Sequence, residues 1–305
     1  MTDPKVSIII PTYNAAAFLP RAVESVLTQT YPRVQVVVVD DGSTDETPHL
    51  LKRFGSPVLC LRQTNRGPAA ARNLGLSVAE GEYIGFLDAD DWLLPRTLLR
   101  HVRFLEARPE HGWVYGDVQY VDEAGTSLDL ASQRFRYGQR DSLEGVLFPA
   151  LIHGNFIPFH APLFRRRCLE ETGPFDEDPE LIGIEDWDLL LRLSLVAPAA
   201  YLPEICAVCT VRAGSLSSDP YLRERRRYVL LDRFQGGHRQ QILDLGVPGR
   251  RLLADTHNWF GYAAYGREDW SETTRRLAAS VRAWPWQRRA PWLLILSLLR
   301  GGLTR

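Results

Sequence analysis

The stretch YIGFLDADDWLLP, residues 83–95, joins an apolar run to three carboxylates, Asp88, Asp90 and Asp91. Its first residues are apolar at consecutive rather than alternate positions, which predicts a strand that is covered on both faces. Three similar runs precede it, at residues 6–10, 34–39 and 57–61. Helical patterns accompany the four runs at residues 16–29, 45–54, 68–80 and 95–107. This alternation predicts an α/β fold with a doubly wound, mostly parallel sheet flanked by helices.

Polar segments follow three of these strands and are expected to meet at one edge of the sheet. The segments are PTYN (11–14), DDGSTDET (40–47) and DADD (88–91). In a parallel sheet, ligands bind beyond the carboxyl ends of the strands. The sequence therefore predicts a binding crevice that these three segments line.

The later sequence is less regular, but its main elements can still be predicted. We expect strands at 113–121 and 160–165, a helix near 141–152, and a helix that begins near Glu185. Cys206 and Cys209 lie in an apolar run that reads as a strand, so their side chains should point to opposite faces. The last third reads as Arg-rich helices that break at residues 236–237, 247–249 and 284–286.

Charge is distributed unevenly along a chain whose net charge is only −1. Residues 220–305 carry 16 Arg against 7 Asp plus Glu, a net +9, which leaves −10 for residues 1–219. We therefore predict a catalytic unit over 1–219, with a nucleotide half to about residue 120 and an acceptor half beyond it, and a helical extension over 220–305. The extension suits an anionic surface such as a membrane, or is simply a solvated helical face.

The expected compartment is the cytoplasm, with peripheral contact at the inner face of the membrane. Four Cys in 305 residues form no disulfide framework, which favours a reducing environment. The N-terminus lacks the pattern of a signal peptide. The longest apolar stretch, WLLILSLLR at 292–300, is well short of the roughly 20 residues that cross a bilayer.

Two acidic segments have both a chemical and a structural interpretation. Buried carboxylates repel one another, so Asp88 to Asp91 suit a hard divalent cation such as Mg²⁺ or Mn²⁺, or they cap the helix after Pro95. Asp41, at the end of a strand, suits a base or a ribose, or it forms a turn with Gly42. A third segment, NRGPAAARNLGL, places Arg72 on a helix, where it could neutralise a phosphate or brace a carboxylate.

Five segments in one order and spacing resemble the family 2 inverting glycosyltransferases of GT-A fold. They cover residues 7–32, 36–47, 65–76, 81–95 and 171–193. The resemblance extends from residue 5 to about 217. It implies transfer of a sugar from a nucleoside diphosphate sugar, usually UDP-linked, to a carbohydrate or lipid-linked acceptor, with Mn²⁺ or Mg²⁺ as cofactor and no nucleic acid partner.

The resemblance also assigns roles to residues of this sequence. Pro11, Thr12, Tyr13 and Asn14 match the loop that lines the nucleotide pocket, and Asp41 matches the acid that reads the base. Asp88 is then near the ribose, and Asp90 is the metal ligand. Asp186 matches the catalytic base, and Glu185 and Trp187 are assigned to the acceptor side or its loop. Such a reaction needs a stabilised diphosphate leaving group and an activated hydroxyl, which a metal and an Asp base provide.

One position departs from the family pattern. Many relatives continue with Arg-x-His-x-x-Ser, whose His holds the metal or the diphosphate, whereas this chain has Arg212 there. An arginine does not ligate a cation but contacts phosphate directly, which predicts weaker metal dependence.

Two other classes of protein are compared with the glycosyltransferases. A sugar-1-phosphate nucleotidyltransferase would need a basic, Gly-rich loop after its first strand, and PTYNAAAF has neither property. A non-catalytic sugar-nucleotide-binding or assembly protein on the same fold is the main alternative. The Trp and Arg residues of the extension fit a membrane surface, a packed helical cap or a homodimer contact.

Overall fold

The computed structural model describes residues 3–55, 58–139, 143–212 and 220–303. The chain forms two compact units, Met1–Asp219 and Pro220–Arg305. The first unit contains the sheet, and the described residues of the second form four helices joined by short loops.

The first unit begins with alternating strands and helices. In order they are β1 (Val6–Thr12), α1 (Leu19–Leu27), β2 (Val34–Asp40), α2 (Thr47–Leu51), β3 (Val58–Arg62), α3 (Pro68–Val78) and β4 (Tyr83–Phe86). The remainder contains β5 (Trp92–Leu93), α4 (Thr97–Ala107), β6 (Trp113–Val121), β7 (Ser127–Leu130), α5 (Ala131–Arg134), α6 (Phe148–Leu151), β8 (Pro162–Arg165), α7 (Arg166–Thr172), α8 (Glu185–Val196) and β9 (Ala199–Thr210). The four early strands predicted from apolar runs are confirmed within two residues at each end.

The nine strands found among the described residues belong to one sheet in the order β3-β2-β1-β4-β8-β6-β9-β5, with β7 paired to β6. The strands β1 to β4 pair in parallel, as do β6 and β9, while β8 is antiparallel to both its neighbours. In the β1–β2 ladder Thr12 is opposite Asp40, so the segments that follow these strands begin side by side. The predicted α/β class with a mostly parallel sheet is confirmed.

Helix α3 packs tightly on the first strand because of a glycine. A Cβ added at Gly75 would lie 2.4 Å from a side-chain carbon of Ile9. Only a residue without a side chain lets the helix approach this closely. The contact fixes α3, and with it Arg72, against the centre of the sheet.

The helix expected near 141–152 is much shorter than predicted. Of its described residues only Phe148–Leu151 are α-helical. Gly145 has a positive φ of 86° and forms an isolated antiparallel bridge with Ala199, so a right-handed helix cannot continue through it. The described residues just before Phe148 form a loop in which Leu147 is buried and Val146 is exposed.

Aromatic side chains form the core beneath the carboxyl ends of the strands. The Phe86 ring stacks on Phe159 with centroids 5.2 Å apart and meets Phe175 edge-on at 5.1 Å. Such pairs stabilise by about 0.5–1.5 kcal/mol beyond their buried area. They join β4 to the segments on either side of β8 and so give the acidic motif a rigid base.

The second unit contains α9 (Pro220–Asp244), α10 (Val247–Gly266), α11 (Trp270–Ala283) and α12 (Ala290–Leu303). The predicted break at 236–237 is a kink inside α9, where His238 is non-helical. Ser280 donates to the Ala254 carbonyl at 3.0 Å and fixes α11 on α10. Across the described parts of the chain, no helix is at once long enough and apolar enough to span a membrane.

Candidate active site

The segments after β1 and β2 are joined by hydrogen bonds around Asn14. Its amide oxygen accepts from the Thr44 backbone at 2.8 Å, and its own N–H donates to Ser43 Oγ at 2.9 Å. Asn14 has a φ of 48°, a left-handed conformation that asparagine tolerates better than most residues. Pro11 and Thr12 are buried, whereas the Tyr13 ring is exposed.

Asp41 is buried at the end of β2 and organises the entry to α3. Its carboxylate accepts from Gln63 Nε2 at 2.7 Å and from the backbone N–H groups of Arg66 and Gly67 at 2.9 and 2.8 Å. A carboxylate offers about four acceptor positions, so it retains capacity for one further donor. The turn role and the ligand role are therefore compatible.

The three carboxylates of the acidic motif have three different partners. Asp88 accepts from Arg72 at 2.8 Å, and Asp90 forms an ion pair with Arg212. Asp91 is buried, accepts from the Thr210 backbone at 2.9 Å and lies 3.0 Å from His160 Nδ1. These contacts hold the motif against the end of β9 and direct Asp91 inward.

Arg72 is buried and connects the acidic motif to α8. Its guanidinium donates to Asp88 and, at 2.6 Å, to Glu185 Oε1. Burial opposes the charge of the guanidinium, but Asp88 and Glu185 outweigh burial and raise the pKa of Arg72. Its Cζ also lies 5.5 Å from the Phe159 ring centre. Of the two roles predicted for Arg72, the contacts show carboxylate bracing.

Asp186 is half-buried at the first turn of α8. It accepts from the Trp187 backbone at 2.7 Å and from the Asn155 amide at 3.2 Å. Burial and then the negative charge of Glu185 raise the pKa of the Asp186 carboxyl to about 7, although Arg72 acts in the opposite direction. A carboxyl with this pKa can take up a proton near neutral pH.

The neighbours of Asp186 point into the protein. Glu185 is buried, and its second oxygen accepts from the Gly183 backbone at 2.5 Å. The Trp187 indole is also buried and donates to the Leu151 carbonyl at 2.8 Å. These positions suit bracing of the loop before α8 rather than direct contact with an acceptor.

The residues around Asp90 fit a divalent cation. Burial, followed by the charges of Asp91 and Asp88, raises the pKa of Asp90 even though Arg212 is paired with it. Arg212 therefore does not fully offset burial and the neighbouring negative charges at Asp90, and a hard cation there could relieve the remainder. A second set of candidate ligands shares Asp91 with the motif: Asp91, His160 and Cys209 offer ligand atoms within 4.8 Å of one another.

The sequence profile of glycosyl transferase family 2 matches residues 7–173. The chain belongs to this family. It is 33% identical to the succinoglycan biosynthesis protein ExoO of Rhizobium meliloti over 224 residues, which cover 70% of this chain and 63% of that protein. The first relatives it matches are uncharacterized glycosyltransferases of Rickettsia species, and the chain spans between 21% and 67% of their lengths.

Solved structures share the fold of this family 2 glycosyltransferase. S. aureus TarS 1-349, in complex with UDP-GlcNAc, matches with a TM-score of 0.65 and 20% identity over 97% of this chain and 88% of that chain. The mannosyltransferase PcManGT of Pyrobaculum calidifontis, in complex with GDP-Man and Mn²⁺, matches with a TM-score of 0.56 and 24% identity over 98% and 81%. The resemblance to the GT-A fold is thereby confirmed.

Two residues of the site were not found by sequence reasoning. Asn155 donates to Asp186, and His160 contacts Asp91, yet both lie in the irregular segment before β8. The only available signal was the presence of polar side chains in the otherwise apolar stretch GNFIPFH, residues 154–160. Both contacts join residues far apart in sequence, so local patterns did not reveal them.

Proposed function

We propose that this family 2 glycosyltransferase moves a sugar, of the hexose type, from a UDP-linked donor to an acceptor hydroxyl and inverts the anomeric centre. The observation that carries the proposal is the Asp186 carboxyl, half-buried and with a pKa raised to about 7. It is linked through Glu185 and Arg72 to Asp88 of the acidic motif. The link supports a single site that contains this proposed general base and the acidic motif.

The nucleotide side of the site is assigned to the first two polar segments. Pro11, Thr12, Tyr13 and Asn14 would line the base and ribose, and Asp41 would accept a hydrogen bond from the base. The remaining acceptor capacity of Asp41 supports this role. The UDP-GlcNAc bound in TarS supports uracil as the base.

Asp90 would hold a divalent ion, Mn²⁺ or Mg²⁺. When bound, such an ion supplies electrostatic stabilisation to the departing diphosphate. The Mn²⁺ in the PcManGT structure supports this assignment. Arg212 faces the same carboxylate and provides a positive charge of its own, so we expect weaker dependence on the ion than in relatives with a His at this position.

On the acceptor side, Asp186 would remove the proton of the attacking hydroxyl, and Asn155 would hold the carboxylate in orientation. Attack from the face opposite the diphosphate gives inversion. The succinoglycan biosynthesis role in the name of ExoO supports an acceptor in polysaccharide or glycolipid assembly. Glu185 and Trp187 would act through the loop before α8.

Calorimetric titration with UDP, dTDP and GDP, each with and without Mn²⁺, tests the donor assignment. We expect UDP to bind, more tightly with Mn²⁺, and Asp90→Ala to abolish the gain from the ion because the ligand carboxylate is removed. Glu123→Ala, in an exposed turn of the same unit, is the matched control and should bind as the unaltered protein does.

If another nucleotide binds instead of UDP, the proposed class of donor changes, but the proposed sugar transfer stays the same. Absence of binding by all three nucleotides would refute the transferase proposal. Nucleotide binding without any transfer to a broad acceptor panel would favour the non-catalytic alternative.

The pH dependence of transfer is a separate prediction. The base must be deprotonated to act, and the pKa of Asp186 is raised to about 7. We therefore expect kcat/KM to rise about tenfold per pH unit below this value and to level off above it. A profile that is flat between pH 5 and 8, measured with the donor identified by titration, would contradict the assignment of Asp186.

A further inference from the structure

Helix α12 carries its large apolar side chains on the outside of the second unit. Together with one preceding residue they form what we call the apolar face: Trp286, Trp292, Ile295, Leu296, Leu298 and Leu299. Trp286 is 84% exposed and Trp292 is 70% exposed. By contrast, the fully buried side of the helix contains Ala290 and Ser297, and Ser297 Oγ lies 3.0 Å from Thr274 Oγ1.

This distribution of apolar and polar side chains is the reverse of that in a surface helix of a water-soluble protein. A surface helix normally turns its large apolar residues toward the core and its polar residues outward. A contiguous exposed apolar patch marks a site of interaction with a protein or a membrane. The apolar face therefore requires a partner that covers it.

The charges around the face identify the kind of partner. Residues 273–305 contain seven Arg and no Asp or Glu. Arg288 and Arg289 lie between Trp286 and Trp292 in sequence, and both are exposed. Within the described ranges, neither of them forms a salt bridge, so both are available to an anionic partner.

We propose that the apolar face docks on a lipid bilayer that contains anionic headgroups. The helix has 14 residues and is therefore about 21 Å long, which is shorter than the hydrocarbon core of about 30 Å. It would lie in the plane of the interface with Trp292 and the leucines among the acyl chains. Trp286, Arg288 and Arg289 would occupy the headgroup layer, where tryptophan and arginine are favoured.

Charge argues against a second copy of the chain as the occupant. In a symmetric dimer the same patch meets itself. Two copies of the exposed pair Arg288 and Arg289, with no acidic residue after Glu272 in the sequence, would then face one another. Like charges across an interface are unfavourable, whereas an anionic bilayer compensates them.

Flotation of the full chain with vesicles tests the proposal without nucleotide or acceptor, so its result is independent of the proposed activity. We expect partition onto vesicles of phosphatidylcholine with one third phosphatidylglycerol to be at least about tenfold stronger than onto pure phosphatidylcholine, and to weaken with salt. Arg288→Gln with Arg289→Gln should lower binding by about thirtyfold. Leu298→Glu should abolish it.

Leu128→Glu is the matched control, because Leu128 is also an exposed leucine but lies in β7 of the first unit. It should bind as the unaltered chain does. Equal partition onto both kinds of vesicle, or no flotation at low salt by a folded chain, would overturn the proposal. A concentration-dependent dimer that Leu298→Glu dissociates, with no vesicle binding, would overturn it in favour of a second copy.

Discussion

Replacement of Asp186 by Asn is expected to lower kcat by about a thousandfold, within the range that a general base contributes. The amide has nearly the same shape as the carboxylate but cannot take the proton of the acceptor hydroxyl. Donor affinity should change by less than about twofold, because the side chain that holds Asp186 is Asn155 and not a residue of the proposed nucleotide segments. Initial rates and calorimetric titration of the donor measure the two quantities separately.

Asp129→Asn provides the matched control, since Asp129 is paired with Arg134 at 2.8 Å in the same unit and lies outside the site. Its kcat should equal that of the unaltered enzyme. The Asp186→Asn variant should also lose the rise of kcat/KM toward pH 7. If the variant keeps more than a tenth of the activity, another group acts as the base.

Among the proposed substitutions, removal of the Arg72 guanidinium should lower the free energy of unfolding the most. Arg72→Met leaves Glu185 buried without its cation, and breaking a buried ion pair from one side costs about 3–5 kcal/mol. For a unit of this size such a loss lowers the melting temperature by at least about 6 °C. Thermal unfolding followed by near-ultraviolet circular dichroism, which reports on the buried Trp113 and Trp187, measures the shift.

Two further variants identify the cause of that loss. Arg66→Met removes an ion pair with Glu177 whose arginine side chain is 60% exposed, so it should cost less than about 1 kcal/mol. Arg72→Met combined with Glu185→Gln should regain part of the lost stability, because the orphaned charge is gone. If the double variant is no more stable than Arg72→Met, loss of packing rather than loss of charge explains the effect.

The fold could be predicted wherever burial alone determines the pattern of apolar residues along the sequence. The strands β1, β2 and β4 are buried along almost their whole length, and consecutive apolar residues report this directly. The described parts of residues 122–161, which are 122–139 and 143–161, could not be predicted in the same way, because positive-φ glycines and contacts with distant strands set their backbone. Gly145, bridged to Ala199, illustrates this.

The residues of the site could be predicted from the sequence more completely than the contacts between them. The carboxylates at 41, 88, 90 and 186 stand out in the sequence because they follow strands or begin a helix. Two of the partners do not stand out: Asn155 reaches Asp186, and His160 reaches Asp91, across long stretches of chain. A pairing of this kind is a property of the sheet order, which places β8 between β4 and β6.

The buried link from Arg72 to Glu185 has a consequence for protein engineering. The two residues lie far apart in the sequence of the first unit, one on α3 among the early βα repeats and the other at the start of α8. A chimera that joined the first half of this enzyme to the second half of a relative would inherit only one member of the pair. Recombination for new acceptor specificity should therefore exchange the loops around α8 and keep both residues of the link from a single parent.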